Sequence, residues 1–158
     1  MIKYTKQINT KENILYNNIV LLSRNKLFYT KFDLTDTFQN RIHLIFMHIS
    51  FLFIKAKRNM ENKKYNIFYQ RIFDLLFKRI ELNMREVGYG DVLVNKNMKF
   101  LVKSFYNILL YCENYKAKTL ESKNTFFTKY LELNIKQKMA NNKPLIEYFN
   151  KFHNIAIY

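Results

Sequence analysis

His43 and His48 are the residues best suited by type to hold a metal or move a proton, and their spacing argues against the first role. Five positions apart on a helix, they stand about 140° apart around its axis, so the two imidazoles do not converge on one ion. Both are expected as core or interface side chains. His153 has no companion of similar chemistry nearby in sequence. Cys112 is the sole cysteine, which rules out an intrachain disulfide and a thiolate metal cluster and suits a reducing compartment. Gly88-Tyr89-Gly90 does not follow a strand, as a dinucleotide-binding turn requires. Catalysis needs convergent nucleophiles, bases or ligands. None converge here, so the expectation is a protein that is not an enzyme, with no catalytic residue, no metal and no cofactor.

The chemistry that remains is recognition. Lys96, Lys99 and Lys103 are spaced by three and four, which projects them to one side of a helix as an anion-contacting stripe. Arg85-Glu86-Val87-Gly88-Tyr89-Gly90-Asp91 sets three charges around the only two glycines of the chain. Glycine used so sparingly is expected at a helix stop and a tight turn. Arg85, Glu86 and Asp91 beside that turn are candidates for directed contacts to a partner. The 27 Lys and Arg against 12 Asp and Glu leave a formal charge of +15, which draws the chain toward lipid head groups or RNA phosphates. No DNA-binding role is expected.

Helices must position these groups. With 158 residues, 49% of them hydrophobic, one proline and two glycines, the chain is poor in the turn residues that all-β folds need. One all-α domain over residues 1–158 is expected, a bundle of about six helices with its core over about 12–155. A first helix follows Thr10 as N-cap to Ser23, on a stripe of Ile14, Leu15, Ile19, Val20 and Leu22. A second, from about Asp36 to Arg58, is apolar on almost every face between Ile42 and Ile54 and is expected as the central helix. That apolar run of 13 residues reaches only about 20 Å, short of a hydrocarbon layer of about 30 Å. A third runs from Asn62 to Val87 and stops at Gly88, with Tyr89 turned back toward Met84. After a link Val92-Leu93-Val94, Asn95 caps a fourth helix on Met98, Leu101, Val102, Phe105, Ile108, Leu109, Cys112 and Tyr115. A fifth spans Ser122–Met139, and Pro144 opens a sixth at its N1 position.

Several stretches resemble the ubiquinol–cytochrome c chaperones, assembly factors for cytochrome b of the bc1 complex. Phe28-Tyr29-Thr30, Asp36-Thr37 and Arg41 with the apolar segment through His48 resemble one part of that family. Gln39-Asn40 departs from it, standing where an acidic and a small residue are expected. Arg85 to Asp91, with Lys96, Lys99, Phe105 and Tyr106 downstream, resembles a second and more specific part. Leu133-Asn134 and the last helix fit as well, and the likeness spans Leu15 to Phe152. It implies an all-helical chaperone that binds newly made cytochrome b and promotes assembly of respiratory complex III at the membrane. Candidate client contacts are then Arg41, His48, Arg85, Glu86, Gly88, Gly90, Asp91 and Tyr106. A small partner protein and the ribosome are companions of such factors in mitochondria.

The N-terminus lacks the long apolar core of a secretory signal and the pattern of a transit peptide, so no export is expected. The expected place is the cytoplasm, peripheral on the inner face of the energy-coupling membrane in a bacterium, or the matrix side in a mitochondrion. Two other functions fit the charge: a basic helical RNA- or ribosome-binding module, and a peripheral membrane scaffold without a specific client.

Overall fold

Three long helices carry the chain back and forth through the molecule, joined by connections too short to do anything but reverse it. The structure is a computed structural model and describes residues 10–134 and 142–155. Its helices are α1 (Lys11–Ser23), α2 (Phe38–Asn59), α3 (Asn62–Val87), α4 (Asp91–Glu113), α5 (Leu120–Tyr130) and α6 (Lys143–Asn154), with 3-10 turns at Lys26–Phe28 and Tyr115–Ala117. The fold is all-α. Among the described residues the one extended pairing is an antiparallel bridge between Leu34 and Leu133. Met60-Glu61 and Gly88-Tyr89-Gly90 make α2, α3 and α4 successive antiparallel neighbours. No described helix is long and apolar enough to cross a membrane.

Three helices, α1, α2 and α5, start at a side chain that satisfies a free first-turn N–H group. Thr10 accepts from the Asn13 amide at 3.3 Å, Thr37 from Asn40 at 3.2 Å and Thr119 from Ser122 at 3.1 Å. The stop after α3 is a Schellman ending: Gly88, at φ 103°, donates its N–H to the Arg85 carbonyl at 3.0 Å, and Tyr89 donates to Met84 at 3.1 Å. Gly90 differs. Its φ is −73° and nothing lies within 4 Å of where a Cβ would sit, so the fold does not need glycine there. We expect Gly88→Ala to cost about 1–2 kcal/mol by forcing a side chain into the left-handed region. Gly90→Ala should stay within about 0.5 kcal/mol of wild type, and thermal melts of the two variants check the contrast.

α2 is buried around nearly its whole circumference from Ile42 to Ile54, as its sequence implies, and packs against α1, α3 and α4. Phe105 of α4 is the hub of the aromatic core, with ring centroids 5.3 Å from Phe46 and 5.9 Å from both Phe73 and Phe77. Cys112 is a fully buried core residue.

Three expectations change. α1 does not pack through Ile14 and Leu22, which are exposed; it presents Tyr16, Ile19 and Ser23 inward instead, with Leu15 and Val20 only partly covered. α4 begins at Asp91 with Gly90 as its cap, not at Asn95, so Val92-Leu93-Val94 form its first turn. α5 ends at Tyr130 because the chain beyond it pairs elsewhere: Thr35 N–H donates to the Glu132 carbonyl, and Asn134 N–H to the Asp33 carbonyl, both at 3.0 Å. Asn40 fixes that crossing, donating from Nδ2 to the Thr35 and Glu132 carbonyls at 2.7 and 2.8 Å and accepting from Glu132 N–H at 2.9 Å. The part of the expected fifth helix over 135–139, with Lys136 and Lys138, lies outside the described residues.

Candidate functional site

The two central histidines serve the core. The His43 ring lies 2.6 Å from the Tyr130 carbonyl, whereas the His48 Nδ1 lies 2.6 Å from the Leu44 carbonyl. A carbonyl only accepts, so Nδ1 of His48 carries the proton and Nε2 accepts from the Tyr148 hydroxyl at 2.8 Å. Phe28, Tyr148, Phe149 and Phe152 surround the ring. Complete burial pushes its pKa down to about 4, partly opposed by the bond to Leu44, so the imidazole is neutral at physiological pH. His48 therefore presents no atom at the surface and holds α2 to α6 instead. No cluster of metal-ligating side chains exists among the described residues.

Arg41 sits in the first turn of α2 and forms a two-pronged ion pair with Asp36 at 2.6 and 2.8 Å. Arg85 is engaged as well, at 3.1 Å from Glu81 one turn back and 2.5 Å from Asp91 across the turn, which fastens the end of α3 to the start of α4. Glu86 makes no hydrogen bond or ion pair among the described residues and is exposed. Around it the turn displays apolar side chains that the core does not use. Val87 is 72% exposed and Val92 85% exposed, with Tyr89 and Leu93 also out in solvent.

That apolar surface continues along α4. At about 100° per residue, Val92, Lys96, Lys99, Lys103, Tyr106 and Leu110 fall within a stripe of about 80°, and all are exposed. Phe100 flanks them, more than half exposed. Tyr106 stacks on Phe73 of α3, centroids 5.9 Å apart, which anchors one edge of the stripe. At its far end lies an open groove of about 710 Å³ between α4 and α5, where Tyr111 and Phe126 stack at 4.0 Å and Lys118 and Lys129 form the rim.

The structure thus gathers Arg85, Glu86, Gly88, Gly90, Asp91, Lys96, Lys99, Lys103 and Tyr106 along one continuous edge, the α3–α4 turn and the outer face of α4. Arg41 belongs to the same end of the bundle, at the start of α2, while His48 lies inside. Val87, Val92, Leu93, Phe100 and Leu110 are surface residues that the sequence reading passed over. Placing the helix start at Asp91, an acidic residue suited to a first turn, would have revealed Val92 on the lysine face.

A sequence-family model described as Ubiquinol-cytochrome C chaperone matches residues 30–143, well over half the chain. Among solved structures, the crystal structure of the Cbp3 homolog from Brucella abortus matches with a TM-score of 0.68 and 25% sequence identity, covering 99% of this chain and 91% of that one. No curated protein matches. The family match spans Asp36-Thr37, Arg41 and the whole α3–α4 turn, and on that ground the chain belongs to the ubiquinol-cytochrome C chaperone family.

Proposed function

We propose that this protein holds newly made cytochrome b and promotes its assembly into the bc1 complex, acting as a chaperone without catalysis. The observation that carries this reading is the exposed apolar rim of the α3–α4 turn, continued down α4 between lysines. A side chain as exposed as Val92 gains nothing from folding, and a cluster of such residues suits a surface that a partner covers. The alternation of aliphatic and lysine side chains suits a client whose apolar helices end in polar or acidic loops. Gly90, which the backbone does not require, leaves room for close approach of another chain. Arg85 and Asp91 are bound to each other, so they shape this surface, and Glu86 is the charge free to meet a client donor.

Deleting the gene should abolish the haem b absorbance of the membrane and its bc1 activity; normal haem b in the deletion strain would sink the proposal. Val92→Glu with Leu93→Glu should reduce capture of freshly translated cytochrome b at least tenfold, because charge replaces the contact area. The same substitutions put carboxylates in the first turn of α4, where the helix dipole favours them, so the melting temperature should hardly move. Capture at the wild-type level by a folded double variant would remove this face from the client site.

A further inference from the structure

The end of the bundle opposite the α3–α4 turn has a different character. There α2 and α4 finish and α3 begins, and α6 joins them: His153 stacks on Tyr115 with centroids 6.0 Å apart and meets the Phe51 ring at 5.7 Å. Lys55, Lys57, Arg58, Lys63, Lys64, Lys116 and Lys118 crowd this end against Glu61, Glu113 and Glu121, an excess of four positive charges. None of these seven makes an ion pair among the described residues. The positive charges of Lys116, Arg58 and Lys55 reach His153 and, behind the larger effect of its burial, help to hold its pKa below the usual value.

Helix dipoles do not account for the excess. Three C-termini, of α2, α4 and α6, and two N-termini, of α3 and α5, each about half a charge, leave about half a negative charge at this end. Four positive charges exceed what that balances, so the surface retains a field for an anionic partner.

We infer that this basic pole, formed by the ends of α2, α4 and α6 and the start of α3, docks the protein on the head groups of an anionic bilayer. The nearby exposed large apolar residues are the aliphatic Ile67, Leu120 and Ile155, which suit the boundary between head groups and acyl chains. Single-stranded RNA instead needs fully exposed rings on which bases stack, and at this end Phe51 and Tyr115 are buried and Tyr65 and His153 only partly exposed. α3 is 26 residues long, so the pole and the α3–α4 turn lie about 39 Å apart. Bilayer docking therefore goes beyond client binding and is separable from it.

The test is flotation of the purified full chain with phosphatidylglycerol vesicles and with phosphatidylcholine vesicles, without client. Binding only to the anionic vesicles is expected, and the triple variant Arg58→Glu, Lys63→Glu, Lys116→Glu should lose about a hundredfold in partitioning. The triple variant Arg24→Glu, Lys26→Glu, Lys31→Glu has the same change in net charge at the other end of α2 and should stay within about threefold of wild type. Glutamates at helix C-termini oppose the dipole, so Arg58→Gln, Lys63→Gln, Lys116→Gln provides a milder variant that should lose at least tenfold. Equal losses at the two ends would overturn the assignment, since net charge would then explain binding. So would equal binding to neutral vesicles, or displacement of the protein from anionic vesicles by RNA at matched phosphate concentration.

Discussion

Replacing Phe105 with alanine should destabilise the protein by about 3–5 kcal/mol, a third or more of the total for a typical domain. Phe105 has no exposed surface and lies where α2, α3 and α4 meet. Its ring sits edge-on to Phe46, Phe53 and Phe77, at 5.3, 6.1 and 5.9 Å, and tilted against Phe73 at 5.9 Å. Removing it leaves a void bounded by rings on two helices, α2 and α3, and rings of that size relax poorly into a neighbouring gap. Phe105→Leu keeps most of the volume and should cost far less. Urea unfolding checks both: the midpoint should fall steeply for alanine and modestly for leucine, with the slope unchanged. A loss under about 1 kcal/mol for the alanine variant would mean that the ring cluster does not organise the core.

Acidification should weaken the fold by about 3 kcal/mol between pH 6.5 and 4 through His48 alone. In the folded protein burial sets its pKa at about 4, against 6.5 for the free side chain. Between these values the unfolded chain binds a proton that the folded one does not, so stability is full above pH 6.5 and falls as the pH drops toward 4. His43 and His153 are also held below their usual value, chiefly by burial, and tilt the curve the same way. Glu12 and Asp36 have lowered pKa values and lose their contribution only as the pH falls through the ordinary carboxylate range and below, so stability measured from pH 7 to 5 isolates the histidines. His48→Gln should cost stability at pH 7, because the amide cannot fill the aromatic surround, yet flatten the pH dependence. An unchanged slope in that variant would remove His48 from the explanation.

Two buried polar crossings fix α2, the helix on which α3 and α4 pack. His48 with Tyr148 ties α2 to α6, and Asn40 with Glu132 ties the start of α2 to the end of α5. Each fixes an angle between elements distant in sequence. The α3–α4 hairpin packs on α2 from behind, and on its outer face only Tyr106 shares in the packing, through Phe73.

Local patterning was sufficient wherever the deciding interactions lie within a helical turn or two. Thr10 as a cap, the helix stop at Gly88, Pro144 at a helix start, the burial of α2 and Cys112, and the shared face of Lys96, Lys99 and Lys103 all follow from side-chain spacing and backbone preference. So does the all-helical class, and the motif around the glycines was specific enough to suggest the family. The end of α5 was not legible, because it depends on Asn40, 92 residues away from Glu132. The resemblance offered His48 as a contact while its spacing placed it in the core; the Tyr148 bond that holds it there was not legible, because Tyr148 lies 100 residues further along. The exposure of Val92 and Leu93 was hidden for the same kind of reason: periodicity shows which residues share a face, but only the packing of α4 on α2 and α3 settles which face is left uncovered.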